Sequence, residues 1–315
     1  MEFFKKQTHI DFLKLRRLAF AFSALLLLAS ITSVATRGLN FGLDFTGGTL
    51  IEAGFELAVN LDAVRSSLDA AGFQDYVVQQ FGDASSIAVR LAPREQEESN
   101  AEISSAVLDA LQQSGQGEID IRRVDFVGPQ IGKELAEKGA LAMFWVLLGI
   151  LAYVSIRFQW RFSVGAVTAL VHDIIITTGI LSFTHIQFDL TVVAALLAVI
   201  GYSLNDTIVV FDRIRENFQG MRKTGPVEVI NTAINQMLSR TIMTSGTTLL
   251  VLAALYVFGG EAISGFALTL IIGIVVGTYS SIYVASAVTL RLGVSREDLL
   301  ETKVEKEGAN LDSMP

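Results

Sequence analysis

The sequence predicts a polytopic α-helical membrane protein, with six transmembrane helices and one α+β domain inserted between the first and the second. Three observations predict it. Of 315 residues, 51% are hydrophobic and only 18% are charged, against roughly 25% charged in soluble domains. Mean hydropathy is +0.50. Six apolar stretches approach the ~20 residues that a helix needs to cross the hydrocarbon core, and a long acidic, water-compatible segment follows the first of them.

The spans are read at 18–36, 140–156, 162–184, 190–211, 241–258 and 262–290. The second is short, and the last is long enough to tilt or to extend past the membrane. Lys and Arg near the span ends set the orientation. They fall at Lys5, Lys6, Lys14, Arg16 and Arg17 in the tail 1–17, and at Arg157 and Arg161 between spans two and three. The loop 212–240 adds Arg213, Arg215, Arg222, Lys223 and Arg240, and the tail 291–315 adds Arg291 and Arg296. Six crossings put all of these on one side, read as the cytoplasm. The opposite loops, 184–189 and 259–261, carry no Lys or Arg. Span one also has signal-peptide features, a basic start and a Ser33-Val34-Ala35 stretch. Cleavage there would leave five crossings and untether the domain, so the segment is read as a retained span.

The domain at 38–138 alternates strand and helix patterns. Strands are expected at 49–56, 76–81, 87–91 and 118–127, with a Gly82-Asp83 turn between the second and third. Helices are expected at 61–71, with Leu61, Val64 and Leu68 on one face, and at 101–113, with Ile103, Val107 and Leu111 on one face. The order βαββαβ is the ferredoxin-like pattern. Two helices cover one sheet face and leave the other free for a partner. Nothing in the domain has catalytic spacing, so it is read as a docking module; a rigid spacer is the plainer reading. In NFGLDFTGG at 40–48, no Lys or helix start stands where a phosphate loop needs one, and the glycines are read as turn formers. Gly128-Pro129 marks the domain exit, and 130–138 is expected to lie along the interface before span two.

The composition excludes several function classes. A net charge of −8 argues against nucleic-acid binding, which calls for a basic face. The absence of cysteine excludes disulfides and thiol chemistry. His9, His172 and His185 lack metal-ligand spacing, so no metal site is expected.

Ionisable groups at bilayer depth are costly and point to function. Span three holds His172 and Asp173, near the midplane. Span four holds Asn205 and Asp206, the latter about one and a half turns inside Asp212 and Arg213. Span five opens at Arg240, and Thr244, Thr247 and Thr248 follow on one helical face, a stripe able to carry a hydrogen-bonded path. Asp206 is expected to exchange protons, with Arg240 as its switchable partner: nearness to the cation favours the carboxylate, separation in a dry site favours the acid. Two plainer readings stay open. The pair staples two helices, or Arg240 snorkels to the surface. His172 and Asp173, with Asn205 and the threonines, are read as support for the relay. Asp212, Arg213, Arg215 and Glu216 are read as a solvated surface cluster. A helix is expected at 226–238 within the loop. Gly265, Gly273 and Gly277, with Ser280, Ser281 and Ala285, are read as a close-packing stripe in span six.

Taken in order, GLDFTGG at 42–48, VGPQIG at 127–132, LVHD at 170–173, GYSLNDTIVVFDR at 201–213 and Ser239-Arg240-Thr241 with the threonines beyond resemble the SecF family. That family is one half of the accessory SecD–SecF complex of the bacterial Sec export machinery, within the resistance-nodulation-division superfamily. Each motif is weak alone; their order, spacing and topology are specific, and the resemblance covers nearly the whole chain. It implies an inner-membrane protein with a periplasmic domain and SecD as partner. It further implies the SecY-SecE-SecG channel, YajC and YidC as neighbours, a functional link to the ATP-driven motor SecA, and preproteins as cargo. The proton gradient would be the energy source for late, ATP-independent stages, with no cofactor. Asp206 and Arg240 would be the transport residues, and a further carboxylate would lie in SecD. Competing readings are a proton-driven exporter of the same superfamily and a non-catalytic scaffold. A hydrolytic enzyme fits poorly, because no nucleophile–base spacing appears.

Overall fold

The computed structural model describes residues 8–93, 100–115, 117–221 and 223–295. Lys5, Lys6, Arg222, Arg296 and the chain beyond 295 lie outside the described residues. A 3-10 turn at Phe12–Leu15 leads into α1 (Arg16–Arg37), followed by β1 (Asn40–Phe41) and the one-turn α2 (Leu43–Thr46). The inserted domain runs β2 (Gly48–Phe55), α3 (Leu61–Ala70), β3 (Tyr76–Phe81), β4 (Asp83–Leu91), α4 (Asn100–Gln113) and β5 (Ile119–Val127). Then come α5 (Pro129–Arg157), α6 (Trp160–Thr184), β6 (Gln187–Phe188), α7 (Leu190–Gly220) and α8 (Pro226–Phe258). The last rod is α9 (Glu261–Ser280), a π-helical stretch at Ser281–Ala285, and α10 (Ser286–Arg291). Among the described residues six helices are long and apolar enough to cross a membrane: α1 with its 3-10 turn, α5, α6, α7, α8 and the α9–α10 rod. The chain is a multi-pass helical membrane protein.

The domain sheet has the order β3-β4-β2-β5 with every neighbouring pair antiparallel, the ferredoxin-like arrangement the pattern predicts. Asn60 starts α3 by accepting from the N–H groups of Asp62 and Ala63. Its buried stripe, Val64 and Leu68, packs with Val107 and Leu111 of α4 against Ile51, Ile87 and Val89 of the sheet. Each of these side chains is buried essentially completely, a contribution of about 1.5–3 kcal/mol apiece. The β3–β4 turn is tighter than expected. Gly82, at φ +80°, is the single residue between them, so β4 starts at Asp83 rather than at 87.

In the membrane region α6 and α7 are about half buried, whereas α1, α5 and α8 show most of their apolar surface. Close approach depends on missing side chains. A Cβ on Gly179 would lie 2.2 Å from Ser30 Cβ, where α1 crosses α6. A Cβ on Gly273 would lie 2.2 Å from Val199, where α9 meets α7.

Two sequence expectations need correction. The segment 130–138 does not precede the second span as a separate piece; α5 is unbroken from Pro129, which occupies the first turn of the helix, where a missing N–H costs nothing. The helix expected at 226–238 is likewise continuous with span five, because no proline follows Pro226 within it and the helix runs through Gly246 to end before Gly259. The outer ends of α7 and α8 form a hairpin, with Phe218 packed in one cluster with Val229, Ile230 and Ile234. The N-terminal segment docks on this hairpin: Asn231 Oδ1 accepts from Phe12 N–H at 2.8 Å, and Asn235 Oδ1 accepts from Ile10 N–H at 2.8 Å.

The segment carrying GLDFTGG ties the domain to the bundle. β1 pairs in parallel with β6, Asn40 opposite Gln187 and Phe41 opposite Phe188. Arg90 of β4 donates to the Phe41 carbonyl. Gly132 of α5 leaves room for the Phe45 carbonyl, since a Cβ there would lie 2.9 Å from it. The uncovered sheet face looks across a cleft of about 700 Å³, with Glu52, Arg123 and Asp125 on one wall and Asp189 and Glu261 on the other.

Candidate functional site

Two carboxylates are buried in the centre of the bundle. Asp173 on α6 is 1% exposed and Asp206 on α7 is 8% exposed. They come from different helices and meet the same short segment, the junction of α9 with the π-helical stretch. Asp173 Oδ2 accepts from Ser280 Oγ at 2.7 Å and from Ser203 Oγ of α7 at 2.6 Å. Asp206 Oδ2 accepts from Ser281 Oγ at 2.6 Å, and Asp206 Oδ1 accepts from Thr241 Oγ1 of α8 at 2.8 Å. Consecutive residues on a helix point about 100° apart, so neighbouring serines can address two different helices. The π turn begins at Ser281, whose carbonyl accepts from Ser286 Oγ at 3.1 Å.

Asp173 has a second set of neighbours. His172 Nδ1 lies 2.9 Å from Asp173 Oδ1, and His172 Nε2 lies 3.2 Å from Ser23 Oγ of α1. Ser23 Oγ is 3.0 Å from Tyr279 Oη, which donates to the Ala19 carbonyl at 2.8 Å. A hydrogen-bonded chain thus runs from α1 through Tyr279, Ser23 and His172 to Asp173. The His172 and Tyr279 rings stack with centroids 6.2 Å apart.

The expected relay is only partly assembled. Asp206, His172 and Asp173 lie together in the core. Arg240 is exposed, and among the described residues no salt bridge joins it to Asp206; the nearby ion pairs are Arg157–Asp212 at 3.6 Å and Arg213–Glu216 at 2.6 Å. Asn205 is exposed. Thr244, Thr247 and Thr248 donate to carbonyls of their own helix, at Arg240, Met243 and Thr244, and do not lead to either carboxylate. These threonines lie on the outer face of α8; the face turned inward carries Thr241 and Ser245. Ser280 and Ser281, read as packing residues, are hydrogen-bond donors to the two acids. Ser23, Ser203 and Tyr279 were missed. A serine or tyrosine in an apolar helix carries no pattern of its own, and only the tertiary fold reveals which acid it faces.

Residues 106–295 match the family described as protein export membrane protein SecD/SecF, C-terminal, and residues 32–56 match the SecD/SecF GG motif. The chain is 54% identical over 311 residues to protein translocase subunit SecF of Vibrio alginolyticus, covering 99% of this chain and 98% of that one. It is 50% identical over 304 residues to protein translocase subunit SecF of Escherichia coli O157:H7, covering 96% of this chain and 94% of that one. The crystal structure of SecDF, a translocon-associated membrane protein from Thermus thermophilus, matches with a TM-score of 0.82 at 37% identity, over 90% of this chain and 39% of that longer one. SecDF in a super-membrane-facing form matches with a TM-score of 0.69 at 37% identity, over 92% of this chain and 39% of that one. With matching length, matching motifs and the same six-helix frame, the chain belongs to the SecF family of protein translocase subunits.

Proposed function

We propose that the chain acts as the SecF half of a SecD–SecF assembly, in which Asp206 carries protons that drive late, ATP-independent stages of preprotein export. The observation that carries this reading is the Asp206 carboxylate itself, buried yet bonded only by hydroxyls among the described residues. A carboxylate at bilayer depth costs about 2.5–3.5 kcal/mol on insertion scales and persists where function needs it. A hydroxyl donates to the anion and accepts from the acid, so the site accommodates both protonation states. Arg240, one residue before Thr241, supplies the switchable charge: its attraction favours the carboxylate when it swings toward Asp206, and its withdrawal favours the acid.

On this reading the arginine- and lysine-bearing ends face the cytoplasm, and the ferredoxin-like domain stands in the periplasm above the inner membrane. The exposed apolar flanks of α1, α5 and α8 meet SecD and lipid. SecD supplies the further carboxylate, and the SecY-SecE-SecG channel, SecA, YajC and YidC act with the pair. No cofactor is called for beyond the proton gradient.

The test uses membrane vesicles containing the SecD complex with Asp206→Asn. Preprotein translocation is followed after ATP is exhausted, with and without an imposed proton gradient, after co-purification of SecD has been checked. Loss of gradient-driven completion with assembly intact supports the reading. Full retention sinks it and favours a scaffold.

A further inference from the structure

Asp173 is almost completely buried, and the resemblance gives it no transport role. Its surroundings repeat those of Asp206. Each acid accepts through Oδ2 from a serine of the same pair, Ser280 at 2.7 Å for Asp173 and Ser281 at 2.6 Å for Asp206. Each serine hydroxyl also has a second acceptor, the carbonyl three residues back in its own helix. For Ser280 this is the Gly277 carbonyl at 3.1 Å, and for Ser281 the Thr278 carbonyl at 3.1 Å.

A hydroxyl has one proton and cannot donate to both acceptors at once. When the acid is ionised, the serine donates to the carboxylate. When the acid takes a proton on Oδ2, its O–H donates to the serine oxygen, and the serine proton turns to the helix carbonyl. In both states the acid Oδ2 and its paired serine hydroxyl keep a partner, which is the condition for a buried acid to exchange a proton at low cost; at Asp173, Ser203 Oγ is a further donor to Oδ2 at 2.6 Å. Proton count balances: the acid gains one proton, and the serine keeps its own while changing acceptor.

Gly277 is part of the device. A Cβ there would lie 3.0 Å from Ser203 Cβ and 3.5 Å from Asp173 Oδ2, so a side chain would crowd the acid. Among the described residues, the ionisable groups near the two acids include His172 on α6, Arg240 on α8, and Tyr279 with Tyr283 beyond it on the α9–α10 rod; α1 contributes the Ser23 hydroxyl. His172 Nδ1, 2.9 Å from Asp173 Oδ1, gives Asp173 an imidazole neighbour; among the described residues Asp206 has none.

We propose that Asp173 is a second proton-carrying carboxylate, and that Ser280 and Ser281 are matched positioning residues that let Asp173 and Asp206 each change protonation state within the packed bundle. The proposal rests on the proton-coupled reading of Asp206 and extends it to a second acid.

The test is infrared difference spectroscopy of the complete SecD-containing complex in liposomes, stepped from neutral to acidic pH, reading the carbonyl band of buried protonated carboxyls. Wild type is compared with Asp206→Asn, Asp173→Asn, Ser280→Ala and Ser281→Ala. The expected result is one band lost in Asp206→Asn and a different band lost in Asp173→Asn. Ser280→Ala shifts only the Asp173 band, and Ser281→Ala only the Asp206 band. If Asp206→Asn loses a band and Asp173→Asn leaves the spectrum unchanged, the second-acid proposal is overturned while the Asp206 reading stands. If neither substitution removes a band, the Asp206 reading fails as well. If Asp173→Asn does not assemble with SecD, Ser280→Ala decides, because it keeps both acids: an unshifted spectrum overturns the proposal.

Discussion

The N–H of Leu190, the first residue of α7, donates to Asp44 Oδ2 at 2.9 Å, across 146 positions of chain. Asp189 caps the same helix end, accepting from Val192 N–H at 2.9 Å. Two carboxylates therefore sit at the positive end of the helix that bears Asp206, one of them from the segment leading into the soluble domain. Asp44→Ala is expected to cost about 1 kcal/mol, as for other lost helix caps. Asp44→Asn, which keeps an acceptor oxygen, should recover most of it. Thermal unfolding of the purified protein in detergent checks this, and equal losses for Ala and Asn would contradict the capping account.

Close packing of α1 on α6 rests on Gly179. Gly179→Ala is expected to destabilise by about 1–3 kcal/mol, the usual cost of overpacking a tight contact. Because the added Cβ would meet the Ser30 side chain at 2.2 Å and the Ser30 Cα at 2.5 Å, Ser30→Gly in the same protein should restore only part of the stability. If the second change adds to the loss instead, the contact is not where the strain arises.

Burial raises the Glu52 carboxyl above its ordinary range, opposed by Arg123 and reinforced by Asp125. The folded domain thus holds this proton more tightly than the unfolded chain. Its stabilising contribution is present below the ordinary glutamate range and is lost as pH rises through the raised value. Glu52→Gln should flatten that part of the pH dependence. Hydrogen exchange at the β2 amides, corrected for intrinsic rates, reports it, and superimposable pH profiles for the two proteins would rule it out.

Thr241 and Thr244 stand one turn apart and are expected to behave differently. Thr241→Val removes one of the two donors to Asp206, a loss of about 1–3 kcal/mol at a buried charged group, and should impair gradient-driven export. Thr244→Val removes only a bond to the helix's own carbonyls and should leave export near wild type. Export assays on both variants separate the two faces of α8; impairment by Thr244→Val alone would reverse the assignment.

The sequence made the soluble domain legible because its faces alternate. Val64 and Leu68, or Ile87 and Val89, announce a helix stripe and a strand by their spacing. The spans were legible from apolar length, and Asp173 and Asp206 from the cost of a charge inside them. The helix start at Pro226 was legible too, but the continuity of α5 from Pro129 and of α8 past 238 was not, because hydropathy falls where a helix leaves the membrane even when the backbone continues. The donors were not legible either. Ser281 and Thr241 lie 75 and 35 positions from Asp206 and meet it only through packing. Arg240 and the threonine stripe share a periodic face, but period alone does not say whether that face turns inward.

The central claim is that Asp206 moves protons. The most direct test is proton flux into proteoliposomes holding the complete SecD-containing complex, read by an internal pH-sensitive dye under an imposed gradient. The account predicts uptake well above empty liposomes for wild type, and uptake equal to empty liposomes for Asp206→Asn with SecD still bound. Undiminished flux through the Asp206→Asn complex would contradict it.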